Sequence, residues 1–373
     1  MADKRLLKDE LFNPATVGHL AAEFAAAVPG FDAAQFASQA LSGFAERELL
    51  ARLEWMADCL EPRLAPDFPT MAAQLEAAMP PILDPTLRDD DFGHFIHAVP
   101  GILAVRHGLD DHRDRALDLL YAATQRFSME FYIRPFLNRW PEQTLMRLAQ
   151  WAEDENYHVR RLVSEGTRPK LPWAKAVTLS TDQTLPLLNK LHADPARFVT
   201  RSVANHLNDI AKTAPDLVVN TLKVWRNEAR QTPKELAWMT RHALRTLVKD
   251  GHPGALAWLG YRTDVDITAN LELSAARLKM GERLSIACTL TAAEDVPVIV
   301  DYRLTFARPK GKPGHKVFKL KAAKIKAGQM LELAKVHHLK ADATTFKLYP
   351  GPHEVTLQVN GKDVAEASFE LTG

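Results

Sequence analysis

The sequence predicts a mostly α-helical repeat scaffold followed by an all-β sandwich, and three observations carry that prediction. Up to residue 263, apolar side chains recur at three- and four-residue spacing, as in LLARLEWMADCLEPRL (49–64) and TLPLLNKLHADPARFVTRSVANHL (184–207). Within that region Arg161, Arg201 and Arg241 recur with a period of 40 residues. From Asp264 onward the pattern changes to alternation with period two, which argues strands.

The elements follow in order. Residues 1–100 carry 7 Lys/Arg against 16 Asp/Glu and read as an acidic helical cap. Prolines at 80–81, 100, 135, 141, 169, 172, 195, 215 and 253 punctuate the helices, because a residue without a backbone N–H favours first turns and boundaries. The repeat frames are HVRRLVSEGT (158–167), FVTRSVANHL (198–207) and WMTRHALRTL (238–247), with an earlier unit inside LDLLYAATQRFSMEFYIRPFLNRW (117–140). An arginine on an otherwise apolar helix at this period is the pattern of HEAT-like helical pairs. Such pairs stack into an α-solenoid with a concave surface, since one pair alone cannot bury its apolar face. Trp140, Trp151, Trp225, Trp238 and Trp258 fall at similar places in the repeats and read as core.

The second domain, 264–373, contains RLSIACTLTA (283–292), VPVIVDYRLTF (296–306), HKVFKLKAAKI (315–325), TTFKLYP (344–350) and HEVTLQVNGKDVAEASFEL (353–371). Asn360-Gly361 predicts a type I′ hairpin, because both residues tolerate positive φ. About seven strands in roughly a hundred residues suit an immunoglobulin-like sandwich lacking the inter-sheet cysteine pair.

Composition narrows the function. With 46% hydrophobic and 25% charged residues the chain is a globular protein rather than a disordered one. It holds no apolar run long enough to span a bilayer, and its first residues lack the apolar core of a secretion signal. Cys59 and Cys288 are far apart without companions at metal-ligand spacing, so neither zinc nor a disulfide framework is expected, and the cytoplasm is the expected compartment. The net charge of +1 conceals an asymmetry: residues 156–262 carry 17 Lys/Arg against 8 Asp/Glu, and residues 303–340 carry 11 against one. Two basic stretches point to a polyanion, the alternative being a solvated basic face.

Four segments go further. SMEFYIRPFL (128–137), HVRRLVSEGTRPKLPWA (158–174), RSVANHLNDIAK (201–212) and RHALRTLVKDGHPGALAWLGY (241–261) resemble the AlkC branch of the AlkD/AlkC family of DNA alkylation repair glycosylases. The resemblance spans nearly all of residues 1–262, and some members carry a C-terminal immunoglobulin-like domain. It implies a monofunctional glycosylase, without cofactor or metal, that hydrolyses the N-glycosidic bond of cationic N-alkylated bases. The substrates implied are 3-methyladenine and 3-methylcytosine in double-stranded DNA, gripped along the backbone and handled without full extrusion of the lesion. No membrane association and no obligate protein partner are implied, and a monomer is expected.

A cationic base is already primed to leave, so the protein must supply negative charge near the sugar C1′ and a positioned water. Glu130, amid apolar SMEFYIRPF, and Glu165, one turn after Arg161, are the candidate catalytic carboxylates, with Asp209 a third. Each has a structural alternative: Glu165 as an i+4 ion pair with Arg161, Asp209 as a partner of Arg201. Glu130 is the hardest to dismiss, because a carboxylate among Phe and Met needs a reason. Trp173 is the candidate lesion-contacting aromatic, its alternative being a core tryptophan. Arg160, Arg161, Arg168, Lys170, Arg201, Asn205, Arg241, Arg245 and Lys249 are candidate DNA contacts on the helical part, although repeat arginines also brace neighbouring helices. Lys310, Lys312 and Lys316 are candidates on the sandwich, where lysines also guard exposed strand edges. No lysine stands in the matched catalytic segments as a Schiff-base nucleophile. Two other readings are a non-catalytic damaged-DNA-binding repeat protein, which would lose the carboxylates, and a HEAT-like protein-interaction scaffold, which would favour an apolar or acidic concave face.

Overall fold

The computed structural model describes residues 6–309, 311–341 and 346–373. The acidic cap region forms α1 (Leu7–Leu11), α2 (Pro14–Ala27), α3 (Ala33–Ser42), α4 (Leu49–Leu60) and α5 (Phe68–Ala77). After a long connection come α6 (Val99–Gly108), α7 (Arg113–Thr124), α8 (Ile133–Arg139), α9 (Pro141–Trp151), α10 (Tyr157–Gly166), α11 (Thr181–Leu191) and α12 (Arg197–Ile210). The helical part closes with α13 (Pro215–Glu228), α14 (Pro233–Ala243), α15 (Arg245–Lys249) and α16 (Pro253–Trp258). Prolines open α2, α9, α13, α14 and α16, the position where a missing N–H costs no hydrogen bond.

The chain divides into two compact units. One runs to Ile210 and resumes over Val224–His242; the other comprises Ala211–Lys223 and Ala243–Gly373. Helix gives way to strand between Trp258 and Ile267, yet α15 and α16 cluster with the strands.

In the first unit the 40-residue period holds for two of the three arginines: Arg161 of α10 and Arg201 of α12 each stand fifth in their helices, whereas Arg241 stands ninth in α14, close to its end. Beside the first two, Val159, Leu162 and Val163 on α10, and Val199, Val203 and Leu207 on α12, are buried. Trp225 stacks on His192 with ring centroids 4.4 Å apart and donates Nε1–H to Asn189 Oδ1 at 2.9 Å. Trp225 and Trp151 are core residues as expected, whereas Trp140, Trp238 and Trp258 are only half-buried. Trp140 and Trp238 instead sit beneath guanidinium groups, those of Arg139 at 4.4 Å and Arg197 at 3.9 Å.

In the second unit the strands are β1 (Ile267–Leu273), β2 (Arg277–Lys279), β3 (Arg283–Ala292), β4 (Val296–Phe306), β5 (Gly314–Ile325), β6 (Leu331–His338), β7 (Gly351–Val359) and β8 (Lys362–Thr372). They form two sheets, ordered β1-β3-β6 and β2-β8-β7-β4-β5; β2 runs parallel to β8 and the other pairs are antiparallel. Inward residues such as Leu284, Ile286, Tyr302, Leu304, Val355 and Phe369 make the core, with alternation along β3 delivering the first two. Cys288 lies in the companion cluster with Leu290, Val298, Val300 and Leu357 as a free, buried thiol. Asn360 (φ 47°) and Gly361 (φ 77°) turn the β7–β8 hairpin as the dipeptide predicts.

That hairpin also joins the sandwich to the last helices. Asn360 Oδ1 accepts from Ile299 N–H at 2.9 Å, and its Nδ2 donates to the carbonyls of Arg262 (2.8 Å) and Pro297 (3.2 Å). A Cβ at Gly361 would stand 2.4 Å from Gly251 Cα, so the α15–α16 turn and the hairpin touch backbone to backbone. Among the described residues no helix is long and apolar enough to cross a membrane.

Candidate active site

The site is built from two places where apolar packing forces a carboxylate to one side. Between α7 and α8 the chain turns around Met129, which is fully buried and whose N–H reaches Thr124 Oγ1 at 3.4 Å. Tyr132 and Ile133 donate back to the Met129 carbonyl, closing the turn. With Met129 driven inward, Glu130 is left on the surface of the turn with its side chain 19% exposed, beside Ser128, whose hydroxyl donates to Glu130 Oε2 at 2.8 Å. On α10 the core stripe Val159, Leu162, Val163 places Glu165 near the end of the helix, where α12 packs beside it.

Gly166 lets α8 close on this point, since a Cβ there would lie 2.5 Å from Ile133 Cγ2. Arg134 of α8 then caps α10: its Nη1 donates to the carbonyls of Gly166 and Arg168, each at 2.9 Å, where the helix dipole is negative. Burial, reinforced by the Arg168 charge, pushes the Arg134 guanidinium down to about 10. Its Nη2 is buried without a hydrogen-bond partner.

Two further arginines tie the carboxylates together. Arg161 Nη1 donates to Glu130 Oε2 at 2.9 Å, and its Nη2 stands 4.0 Å from Glu165 Oε2. The Arg161 guanidinium lies 4.3 Å over the Phe198 ring, which fixes its plane. Arg168 donates Nη1–H to Glu165 Oε1 at 2.5 Å and Nε–H to Asp209 Oδ2 at 3.0 Å. Ser202 donates to the other oxygen of Glu165 at 2.5 Å, with Ser164 Oγ 3.0 Å from the Ser202 hydroxyl. Burial alone would raise the Glu165 pKa; the charges of Arg161 and Arg168 and the hydrogen bonds from Ser202 and Arg168 outweigh it, so Glu165 is held below the usual carboxylate range. Arg168 is correspondingly raised, since Glu165 and Asp209 outweigh its own desolvation.

Glu130 and Glu165 line one cavity of about 280 Å³ with Phe95, Phe127, Phe131, Arg168, Leu171, Pro172 and Trp173. Trp173 is 72% exposed and holds a positive φ of 64°, a conformation that an aromatic residue adopts only when its surroundings impose it. The chemistry this arrangement supports is stabilisation of positive charge between two carboxylates, inside walls that are largely aromatic.

The other candidates separate into two groups. Asp209 does not line the cavity; it is buried and anchors Arg168. Arg160, Arg161 and Arg168, expected on the DNA face, are turned inward instead, because a mostly buried guanidinium must meet carboxylates and carbonyls. Arg160 pairs with Asp194 and with the Asp154 and Glu155 carbonyls; Arg161 and Arg168 serve the glutamates. Arg201 is likewise engaged, by Asp89 and Asp90, and Asn205 Oδ1 lies 2.9 Å from His242 Nε2. Lys170 and Arg241 are exposed in the first unit, and Lys249, Lys312 and Lys316 in the second, where Arg245 is half-buried. Lys310 lies outside the described residues. Reading the sequence missed Ser128 and Ser202 as carboxylate donors, Arg134 as the cap of α10 and Phe95 as a wall. The first three stood inside or beside the quoted motifs; Phe95, far upstream, had no such signal.

Known proteins share this architecture. Residues 125–247 match the family model described as DNA alkylation repair enzyme, and residues 267–373 match the one described as the C-terminal Ig-like domain of the uncharacterised protein YhaZ. The chain is 34% identical over 294 residues to the uncharacterised protein YhaZ of Bacillus subtilis, which covers 77% of this chain and 80% of that protein. It also resembles the structure of the Pseudomonas fluorescens alkylpurine DNA glycosylase AlkC bound to DNA containing an abasic site analogue. That likeness covers 99% of this chain and 100% of the other, at 34% identity and a TM-score of 0.87. With the DNA alkylation repair model over residues 125–247, the Ig-like model over 267–373 and a fold shared along 99% of the chain at 34% identity, the chain belongs to the AlkC branch of the DNA alkylation repair enzymes.

Proposed function

We propose that this protein is a monofunctional DNA glycosylase that hydrolyses the N-glycosidic bond of cationic alkylated bases, 3-methyladenine and 3-methylcytosine, in duplex DNA. The observation that carries the reading is the pair Glu130 and Glu165, delivered by separate elements, joined through Arg161 and facing one aromatic-walled cavity. A cationic base departs as a neutral molecule and needs no proton from the enzyme, so a carboxylate kept ionised suits the task better than a general acid. Glu165, held below its ordinary range, meets that requirement. As the bond breaks, the sugar gains oxocarbenium character, which carboxylates stabilise; one of the two also orients the attacking water. Trp173 and the phenylalanines offer π faces to the cationic base, each such contact contributing about 0.5–2 kcal/mol. Asp209 acts through Arg168, as a positioning residue. None of the residues lining the cavity is a lysine, so an imine to the sugar has no nucleophile there. Lys170, Arg241, Lys249, Lys312 and Lys316 are the exposed cations proposed to meet phosphates.

The test is release of free base from duplexes carrying 3-methyladenine, 3-methylcytosine or 7-methylguanine. Wild type frees the two N3-methyl bases, while Glu130→Gln and Glu165→Gln lose about 10²–10³-fold in rate yet still bind the duplex. A wild-type protein that binds duplex but frees no base from any of the three would make this a damaged-DNA-binding protein rather than an enzyme.

A further inference from the structure

We propose that the segment Asp84–Phe92 is an acidic strap that occupies a phosphate site at Arg201 of α12 in the free protein, and that duplex DNA binds by displacing it. The proposal rests on the glycosylase reading above, because it concerns how that site is opened to its substrate. Arg201 is held as a fork: Nη2 pairs with Asp89 Oδ2, and Nη1 with Asp90 Oδ1 at 2.8 Å. Two anionic oxygens set against one guanidinium are what a phosphodiester offers, so the strap presents Arg201 with a substitute for the DNA backbone.

The position of this contact gives it consequence. Arg201 immediately precedes Ser202, the donor to Glu165. One turn earlier, Phe198 supports the Arg161 guanidinium on its face and meets Phe92 of the strap edge-on, ring centroids 5.0 Å apart. The Phe198 N–H donates to the Arg88 carbonyl at 3.0 Å. The strap therefore covers the start of α12, beside the carboxylates. It carries Asp84, Asp89, Asp90 and Asp91 against Arg88, a negative rim on a surface expected to receive a polyanion.

Its attachment suits displacement. The ends are pinned: Leu83 N–H donates to the Gln125 carbonyl at 3.0 Å, and Gly93, at φ 65°, lies so close to the Arg126 carbonyl that a Cβ would stand 2.0 Å from it. Between the pins, Leu87 and Phe92 are 46% and 53% exposed, so the strap buries little apolar surface of its own. Asp90 holds a positive φ of 60°, a strained conformation that release would relieve. Release would break the partly exposed ion-pair fork, which salt screens and a phosphate replaces in kind, together with the Phe198 N–H bond to the Arg88 carbonyl and the Phe92–Phe198 ring contact.

A permanent brace and a displaceable strap predict opposite signs. The full-length protein is titrated by fluorescence anisotropy against undamaged duplex and duplex bearing a tetrahydrofuran abasic analogue. The double variant Asp89→Asn/Asp90→Asn should bind both duplexes about three- to tenfold more tightly than wild type at low salt. Adding Arg201→Gln to that variant should abolish the gain, because the phosphate site is then gone. Unchanged or weaker binding by the Asn pair overturns the proposal. Hydrogen exchange on the wild-type protein gives a second reading that needs no variant. Amides of residues 84–92 should exchange faster when duplex is bound; unchanged or slower exchange also overturns it. If wild type neither binds duplex nor releases base, the glycosylase reading itself has failed, a result distinct from wild-type activity with an unmoved Asn pair.

Discussion

The helical unit that holds the candidate site and the unit that holds the sandwich bury their polar groups differently. In the first, charged side chains are taken inside as a network: Glu165, Asp209, Arg134 and Arg168 are all buried and are joined by hydrogen bonds or mutual charge. In the sandwich, alternating strands pack aliphatic and aromatic side chains, and the most connected buried polar side chain is the neutral Asn360. A buried ionic network is a poor source of net stability, since desolvation consumes most of the Coulombic gain. It is, however, an effective way to hold negative charge in a water-poor place. The difference separates a region organised around electrostatics from one organised around packing.

The hardest way to break that contrast is Arg168→Met, which leaves Glu165 and Asp209 buried without their shared cation. It should cost about 3–5 kcal/mol. All seven tryptophans precede residue 264, so the loss should register in a fluorescence-monitored urea titration. If the variant unfolds at the wild-type urea midpoint, the network does not support the fold. On the sandwich side, Asn360→Ala removes three hydrogen bonds, one of them buried and two part-buried, and puts a less tolerant residue at positive φ, at a cost of about 2–4 kcal/mol. Hydrogen exchange should show the loosening in β4, β7 and β8, with α10 and α12 unaffected; loosening spread evenly over both regions would erase the contrast.

Acid sharpens the comparison with a smaller effect. Burial pushes both His158 and His206 of the first unit down to about 4 from the ordinary 6.5. The unfolded chain then binds more protons between those values, so stability present above about 6.5 is lost as pH falls toward 4. The upper bound is about 3 kcal/mol for each histidine. In the sandwich unit burial pushes Asp301 up to about 6, so its protonation works in the opposite sense, removing a cost of folding as pH falls through 6. Denaturant midpoints followed by tryptophan fluorescence should therefore fall between pH 6.5 and 4, and fall less in His206→Asn. A midpoint that stays level across that window would show that these histidines are not held neutral. The smallest effect belongs to Trp173→Gly. Glycine accepts the positive φ, so thermal stability should hold or rise by about 1 kcal/mol, while release of 3-methyladenine slows several-fold. A stability loss without a rate effect would make Trp173 a structural residue.

Local pattern alone determined much of this protein. Helical spacing gave way to alternation where α16 yields to β1, the 40-residue spacing set Arg161 and Arg201 at equivalent positions of α10 and α12, and Asn360-Gly361 turned the hairpin it predicts. Glu130 and Glu165 stood out as candidates because they lie in the segments that carry the family resemblance; the fold sets both on one cavity. Only the tertiary structure decided which cations face inward. Arg161 meets Glu130 across 31 residues of sequence, Arg168 meets Asp209 across 41, and Arg201 meets Asp89 across 112. It likewise brought Phe95 from the acidic cap to the cavity wall and laid the strap on α12. The reason is physical: periodicity records which face of an element is buried, a property of neighbours within a turn or a strand. The partner of a buried charge is set by which distant element packs against that face, and spacing along one chain carries no record of it.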